Sequence, residues 1–171
     1  YKAFAWRFLQ LVRHEGTVGV VLPRKAVEAS GMRDWRFAAL ATCSFEDVTM
    51  LLNTGGWVFD DAEPRYTIGL LSLRRTGDAD RRQVRLHGPF SSASGYESGL
   101  LQPAGEFSAG DLLSWSDGAE FPLLPSSDHL RIFGQIRSHP KLSAPRAEWT
   151  ARGMRELNAS DDKDHFIFGA A

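Results

Sequence analysis

A chain of 171 residues with 43% hydrophobic and 24% charged residues is ordinary for a globular protein, with room for one real core or for one domain and part of another. Its net charge of −1 offers no basic field of the kind that draws a protein to nucleic acid unaided. The single cysteine, Cys43, excludes a disulfide framework and a thiolate metal cluster, and no apolar run approaches the roughly 18 residues of a membrane span.

No stretch reads as a signal peptide, and the lone thiol reads as a small buried residue, so a cytoplasmic protein without a membrane partner is expected. The chain opens at Tyr1 in mid-pattern and reads as an excerpt from a longer polypeptide. Tyr1, Phe4, Ala5, Phe8, Leu9, Leu11 and Val12 recur at helical spacing between Lys2, Arg7, Gln10 and Arg13. That pattern predicts an amphipathic helix with its aromatic stripe in the core and Gly16 as a left-handed cap. Thr17 to Leu22 predicts a buried strand, ended by Pro23, which has no amide for a central ladder. Arg24 to Thr42 reads as helical and broken at Gly31, with Trp35, Ala38, Ala39, Leu40 and Ala41 suited to a helix on a sheet. A strand follows from Phe45 or Asp47, and the strand–helix–strand order predicts that it pairs in parallel with the 17–22 strand.

The stretch from Asp47 to Arg75 organises the rest. Two apolar runs, 48–52 and 66–71, flank a loop that holds Gly55, Gly56, Trp57, Phe59, Asp60, Asp61 and Glu63. A loop of this length without a helix suits an antiparallel neighbour. Its two aromatics form either a folded-in plug or an exposed platform for a flat ligand, and the platform, for a nucleobase, is the reading taken. Thr76 to Asp80 is a turn, and Arg82 to His87 alternates polar and apolar residues as an exposed edge strand would. Gly88 to Gly110 has no period and reads as loop or linker. Ser108 to Trp115 suits a short capped helix. Pro125 to Asp128 starts a clearer one, with Leu130, Ile132, Phe133 and Ile136 facing inward until Pro140. Trp149 to Phe168 yields no assignable element, and there are no internal repeats.

Several chemistries can be set aside. His14, His87, His129, His139 and His165 are scattered without metal-ligand spacing and read as surface residues. There is no GxSxG elbow and no glycine-rich phosphate loop, and Asp60-Asp61 reads as a solvated acidic turn. Pro23-Arg24-Lys25 follows a strand end, where α/β sheets hold their ligands, so Arg24 or Lys25 either touches a phosphate or forms a solvated basic turn.

One family resemblance gathers these segments. Trp6-Arg7-Phe8-Leu9, Gly16 to Arg24, Trp35-Arg36, Val48 to Asn53 and Gly56-Trp57-Val58-Phe59-Asp60 together resemble the later half of an adenine-specific DNA methyltransferase, of the large bacterial restriction–modification and phage-defence kind. The resemblance covers residues 1 to about 75 well. It is weaker over 108–168, where Trp115-Ser116-Asp117 and Arg155 to Lys163 look like the join to a DNA-recognition part. It implies an α/β fold: a partial Rossmann-like sheet of parallel strands plus an antiparallel one, followed by an irregular, partly helical region. It also implies a division into residues 1–90, the end of the catalytic domain, and 91–171, a linker and the start of target recognition.

The activity implied is methyl transfer from S-adenosylmethionine to the amino group of an adenine flipped from double-stranded DNA, with the remainder of the same polypeptide as partner. Flipping costs a few kcal/mol, which stacking and edge hydrogen bonds offset. Phe59 occupies the family position that stacks on the flipped base. Trp57 and Pro23 are further substrate-side candidates, and Arg24, Lys25 and Arg65 are candidates for DNA backbone contact. The family's cofactor loop and its Pro-Pro catalytic motif are not in this sequence, so no catalytic residue is assigned and the chain alone is expected to be inactive. The competing readings are a non-catalytic DNA-specificity or scaffolding module and a Rossmann-like methyltransferase acting on a small molecule.

Overall fold

Five strands pair into one mixed sheet in the computed structural model, which describes residues 1–124, 126–142, 144, 149 and 151. The chain divides into two compact units, residues 1–135 and residues 136–171. In chain order the elements are α1 (Lys2–Leu11), β1 (Thr17–Pro23), α2 (Lys25–Glu28), a 3-10 turn (Ser30–Met32), α3 (Arg33–Thr42), β2 (Cys43–Leu52), β3 (Thr67–Arg75), β4 (Gln83–Phe90), α4 (Ala93–Gly99), β5 (Gly105–Ser108), α5 (Ala109–Trp115) and α6 (Ser127–Arg137). The fold is α/β, as expected. The sheet order is β1-β3-β2-β4-β5. β3 runs antiparallel to both β1 and β2, β4 is parallel to β2, and β5 is antiparallel to β4. Thus β1, β2 and β4 point the same way, and their carboxyl ends share one edge of the sheet.

One face of the sheet carries the core. Val18 and Val20 of β1, Leu71 and Leu73 of β3, Phe45, Val48 and Met50 of β2, Val84 and Leu86 of β4 and Phe107 of β5 pack with Ala5, Trp35, Leu40, Leu112 and Trp115 from the helices. The register shifts between Phe45 and Asp47, so that Phe45 opposes Leu73 while Val48 opposes Leu71. A bulge there is required, because strict alternation from Phe45 would send Val48 and Met50 to the opposite face. That opposite face presents Val21, Leu70, Ser72, Asp47, Thr49 and His87, and α4 lies across its β4 side.

Several expectations need correction. The 17–22 segment is an edge strand rather than a buried one, with Val21 56% exposed. It does not pair with β2, because β3 lies between the two. The 82–87 segment is an inner strand between β2 and β5, and its alternation reflects one core face and one polar face, not an edge. The 88–110 region is no linker, since it holds α4 and β5, and α5 follows with Ser108 in a capping box with Asp111. The apolar stripe of α1 is only partly core: Phe4 is 67% exposed and Tyr1 and Leu11 are exposed as well, while Ala5 and Val12 are buried and Phe8 and Leu9 are partly buried. The helix lies at the β1 side of the sheet, where only one flank meets apolar neighbours.

Val12, not Gly16, caps α1, and the left-handed residue is Glu15 at φ 57°. Gly16 matters sterically, because a Cβ there would lie 2.9 Å from Arg13 atoms. The Arg75 guanidinium donates to the carbonyls of Leu9 and Val12 and so supplies the helix end with cations the last turn lacks. In α6, Leu130 is buried and Phe133 packs on the core, but Ile132 and Ile136 are exposed. Pro125 and the 155–163 segment lie outside the described residues.

Arg36 on α3 is fully buried and bridges separate backbone segments. Its Nε donates to the Gly118 carbonyl at 2.8 Å, and Nη1 donates to Ala29 at 2.9 Å and Ala26 at 3.4 Å. Nη2 faces Glu120 Oε1 at 3.8 Å, an ion-pair distance too long for a hydrogen bond. Burial pulls the guanidinium below its ordinary pKa, and Glu120 opposes that shift. The Ser116 hydroxyl, then its own backbone and the Arg36 charge, holds the Glu120 carboxyl below the usual range. This pins the 116–120 turn, in which Ala119 has φ 49°, and seats Phe121 against Phe45 at 5.0 Å between ring centroids. No sequence pattern announced this node. Cys43 is buried, as expected, and burial raises its thiol pKa.

Candidate functional site

At the shared carboxyl edge, the Asn53–Tyr66 loop leaves β2 and returns as β3. Asn53 N donates to the Tyr66 carbonyl, so the loop closes on the last rung of the ladder. Gly55 and Gly56, at φ 71° and 75°, make two successive left-handed steps that residues with a Cβ adopt only under strain. The Asn53 side chain then organises the loop. It is fully buried, its Oδ1 accepts from the amides of Val58 at 3.1 Å and Phe59 at 3.0 Å, and its Nδ2 donates to the carbonyls of Phe59 at 2.9 Å and Ala62 at 3.3 Å. These four contacts exhaust the hydrogen-bonding capacity of a primary amide. Sequence reasoning quoted Asn53 in a motif and gave it no role. An Asn at the end of an apolar run, just before Thr-Gly-Gly, was the available signal.

Phe59 is gripped at both its amide and its carbonyl, yet the residue is 48% exposed. Of the loop's two aromatics, Phe59 is therefore the exposed one and Trp57 the folded-in one. The Trp57 indole is partly buried, donates from Nε1 to the Leu52 carbonyl at 2.6 Å, and faces Tyr96 of α4 at 6.4 Å between ring centroids. Tyr96 in turn meets Phe90 edge-on at 5.7 Å. Gly99 has no Cβ where one would strike the Phe90 ring at 2.0 Å, so α4 sits down on the sheet. The loop is thus tied to β2 by Asn53 and to α4 through Trp57.

The other candidates fall along the same edge. Pro23 is exposed at the end of β1, opposite Ile68, and Arg24 N donates to the Thr67 carbonyl at 2.9 Å. Thr67 is also the rung partner of Leu52, so the basic turn and the loop stand two strand spacings apart, about 10 Å. The Arg24 side chain is half-exposed and pairs with Glu28 at 2.7 Å, Lys25 is exposed, and Arg65 pairs with Glu63 at 2.9 Å on the surface. Exposed pairs of this kind hold about 0–1 kcal/mol, little enough for a phosphate to displace them. Asp60 and Asp61 are exposed, and Asp60 Oδ1 accepts from the Asp61 amide, as a solvated acidic turn would. Phe59, Trp57, Pro23, Arg24, Lys25 and Arg65 therefore share one rim, although Trp57 is committed to holding the loop.

His87 departs from the surface reading. Its side chain is only 10% exposed, with Nε2 3.7 Å from Asp47 Oδ2, while Thr49 donates to Asp47 Oδ1 at 2.6 Å. No group of three metal-ligating side chains occurs among the described residues. Nor do the described residues build a cradle for S-adenosylmethionine: the glycines at positive φ are Gly55 and Gly56 in the aromatic loop and Gly88 within β4, and none opens a helix after a parallel strand. No step can be derived through that cofactor from this chain. No helix among the described residues is long and apolar enough to cross a membrane. No protein-family model matches the chain, and no curated protein matches it.

Proposed function

We propose that this chain is part of an S-adenosylmethionine-dependent DNA adenine methyltransferase of a restriction–modification or phage-defence system, and that its Asn53–Tyr66 loop holds the flipped target adenine. The observation that carries the reading is Phe59, half-exposed on a backbone held at both its amide and its carbonyl. A displaced purine needs a flat apolar face that is already in place, because ordering a mobile side chain would subtract from the stacking energy. The antiparallel course of β3 beside β2, in a sheet that also pairs β2 with β4 in parallel, is in keeping with a mixed sheet of the kind the resemblance implies, although its strand order was not expected. On this reading Arg24 and Lys25, on the same rim, meet the phosphates flanking an extruded nucleotide. The methyl donor and the groups that activate the adenine amine belong, on this reading, to the remainder of the polypeptide.

The test is Phe59→Ala in the full-length protein. Stacking on an aromatic side chain is worth roughly 1–3 kcal/mol per base, so turnover on duplex DNA should fall by roughly 5- to 150-fold. The melting temperature should stay nearly unchanged, because the ring contributes little to the core. Unaltered methyl transfer would end the assignment.

A further inference from the structure

Resting on that reading, we propose that Asn53 is the positioning residue for the base-stacking ring: its carboxamide fixes where Phe59 stands, so that the platform exists before DNA arrives. Trp57 already ties the loop to β2 and α4, so joining β2 to β3 needs no further anchor at Phe59. Phe59 is nevertheless exposed while a buried amide spends three of its four hydrogen bonds on the amide and carbonyl of Phe59 and the amide of its neighbour Val58. The fourth, to Ala62, fixes the returning limb of the loop. Because Asn53 ends the β2 ladder, with its own amide bonded to Tyr66, the platform's height is referenced to the sheet itself. Gripping both ends of one residue's peptide units sets the direction of its Cα–Cβ bond, and this aims the ring. A misplacement of about 1 Å can cost on the order of a hundredfold in rate, so a misaimed ring is penalised even with its chemistry intact.

The full-length enzyme is tested on duplex DNA carrying 2-aminopurine at the target position, whose emission rises on extrusion. Asn53→Asp keeps the acceptor for the Val58 and Phe59 amides but removes both donors and sets a carboxylate oxygen against the Phe59 and Ala62 carbonyls. Asn53→Ser, which retains one hydroxyl for the loop amides, is run beside it in case the aspartate variant does not fold. We expect kcat and the emission gain to fall by about 10- to 100-fold with KM for DNA within about twofold, and activity to recover on a duplex whose target base is mispaired and therefore already unpaired. Loss on paired and mispaired DNA alike, tracking a lowered melting temperature, would make the amide a folding element only and overturn the proposal. A defective Phe59→Ala beside fully active Asn53 variants would also overturn it, and would leave the stacking role of Phe59 standing. If Phe59→Ala is itself without effect, the methyltransferase reading fails, and the role of Asn53 fails with it.

Discussion

Replacing Arg36 by lysine tests which part of the buried guanidinium holds the fold. If the attraction to Glu120 mattered most, lysine would keep the charge and most of the stability. The geometry argues otherwise: the Glu120 oxygen is 3.8 Å away on a 41% exposed side chain, whereas two carbonyls, Gly118 and Ala29, lie at 2.8 and 2.9 Å from different nitrogens of a rigid fork. Hydrogen bonds from a charged donor contribute about 1.5–3 kcal/mol each, so the two give a gross loss of roughly 3–6 kcal/mol. Relief of guanidinium desolvation returns part of that for an apolar substitute. A lysine ammonium cannot reach both carbonyls from one point and stays buried, so Arg36→Lys should cost at least as much as Arg36→Met. Urea unfolding of the purified chain measures both, read as midpoint shifts at constant slope. Arg36→Lys within about 1 kcal/mol of the parent would refute the fork argument and return the credit to Glu120.

Two further outcomes follow from single groups. Glu120 has a folded-state pKa depressed below the ordinary carboxylate value of 4.5, first by the Ser116 hydroxyl. Its contribution is therefore complete above that value and is lost as pH falls below it, through the lower folded pKa. A melting-temperature profile from pH 6 to pH 2.5 should show a shallower acid limb in Glu120→Gln, and superimposable profiles would remove the assignment. Cys43 is buried with a raised thiol pKa, so a disulfide reagent at neutral pH should label it no faster than the protein unfolds. Rapid labelling of the native chain would show that the strand start near Thr42 opens locally.

Much of the α/β order could be read from hydrophobic spacing, because β2 and β3 read as apolar runs while α1, before β1, and α3, between β1 and β2, carry a helical period. What could not be read was lateral position. Gln83 to Phe90 alternates because one face meets α5 and the core and the other is polar, and that pattern is the same for an inner strand as for an edge. Thr17 to Leu22 looked covered on both sides because it is uncharged, yet it stands at the margin. Short elements failed for a different reason. The α4 sequence ASGYESG has no apolar stripe and is held by its Ser92 cap and by Tyr96 and Gly99 against Phe90, contacts invisible until Phe90 is placed. The exposed ring at Phe59 was legible as an aromatic among acids and glycines. Asn53 was not, because an amide becomes a hub only once the backbone of residues 58–62 curls back over it.

The insertion of β3 between β1 and β2 also dictates an order of assembly. Among the described residues β1 has no strand neighbour except β3, which lies some forty residues beyond β1 in the chain, on the far side of β2. Closing the Asn53–Tyr66 turn spans a much shorter length of chain and so carries the smaller entropic cost. This favours zipping β2 to β3 first, which would form the aromatic turn at that moment. The amino-terminal strand is admitted only afterwards, against a template whose rim is already complete.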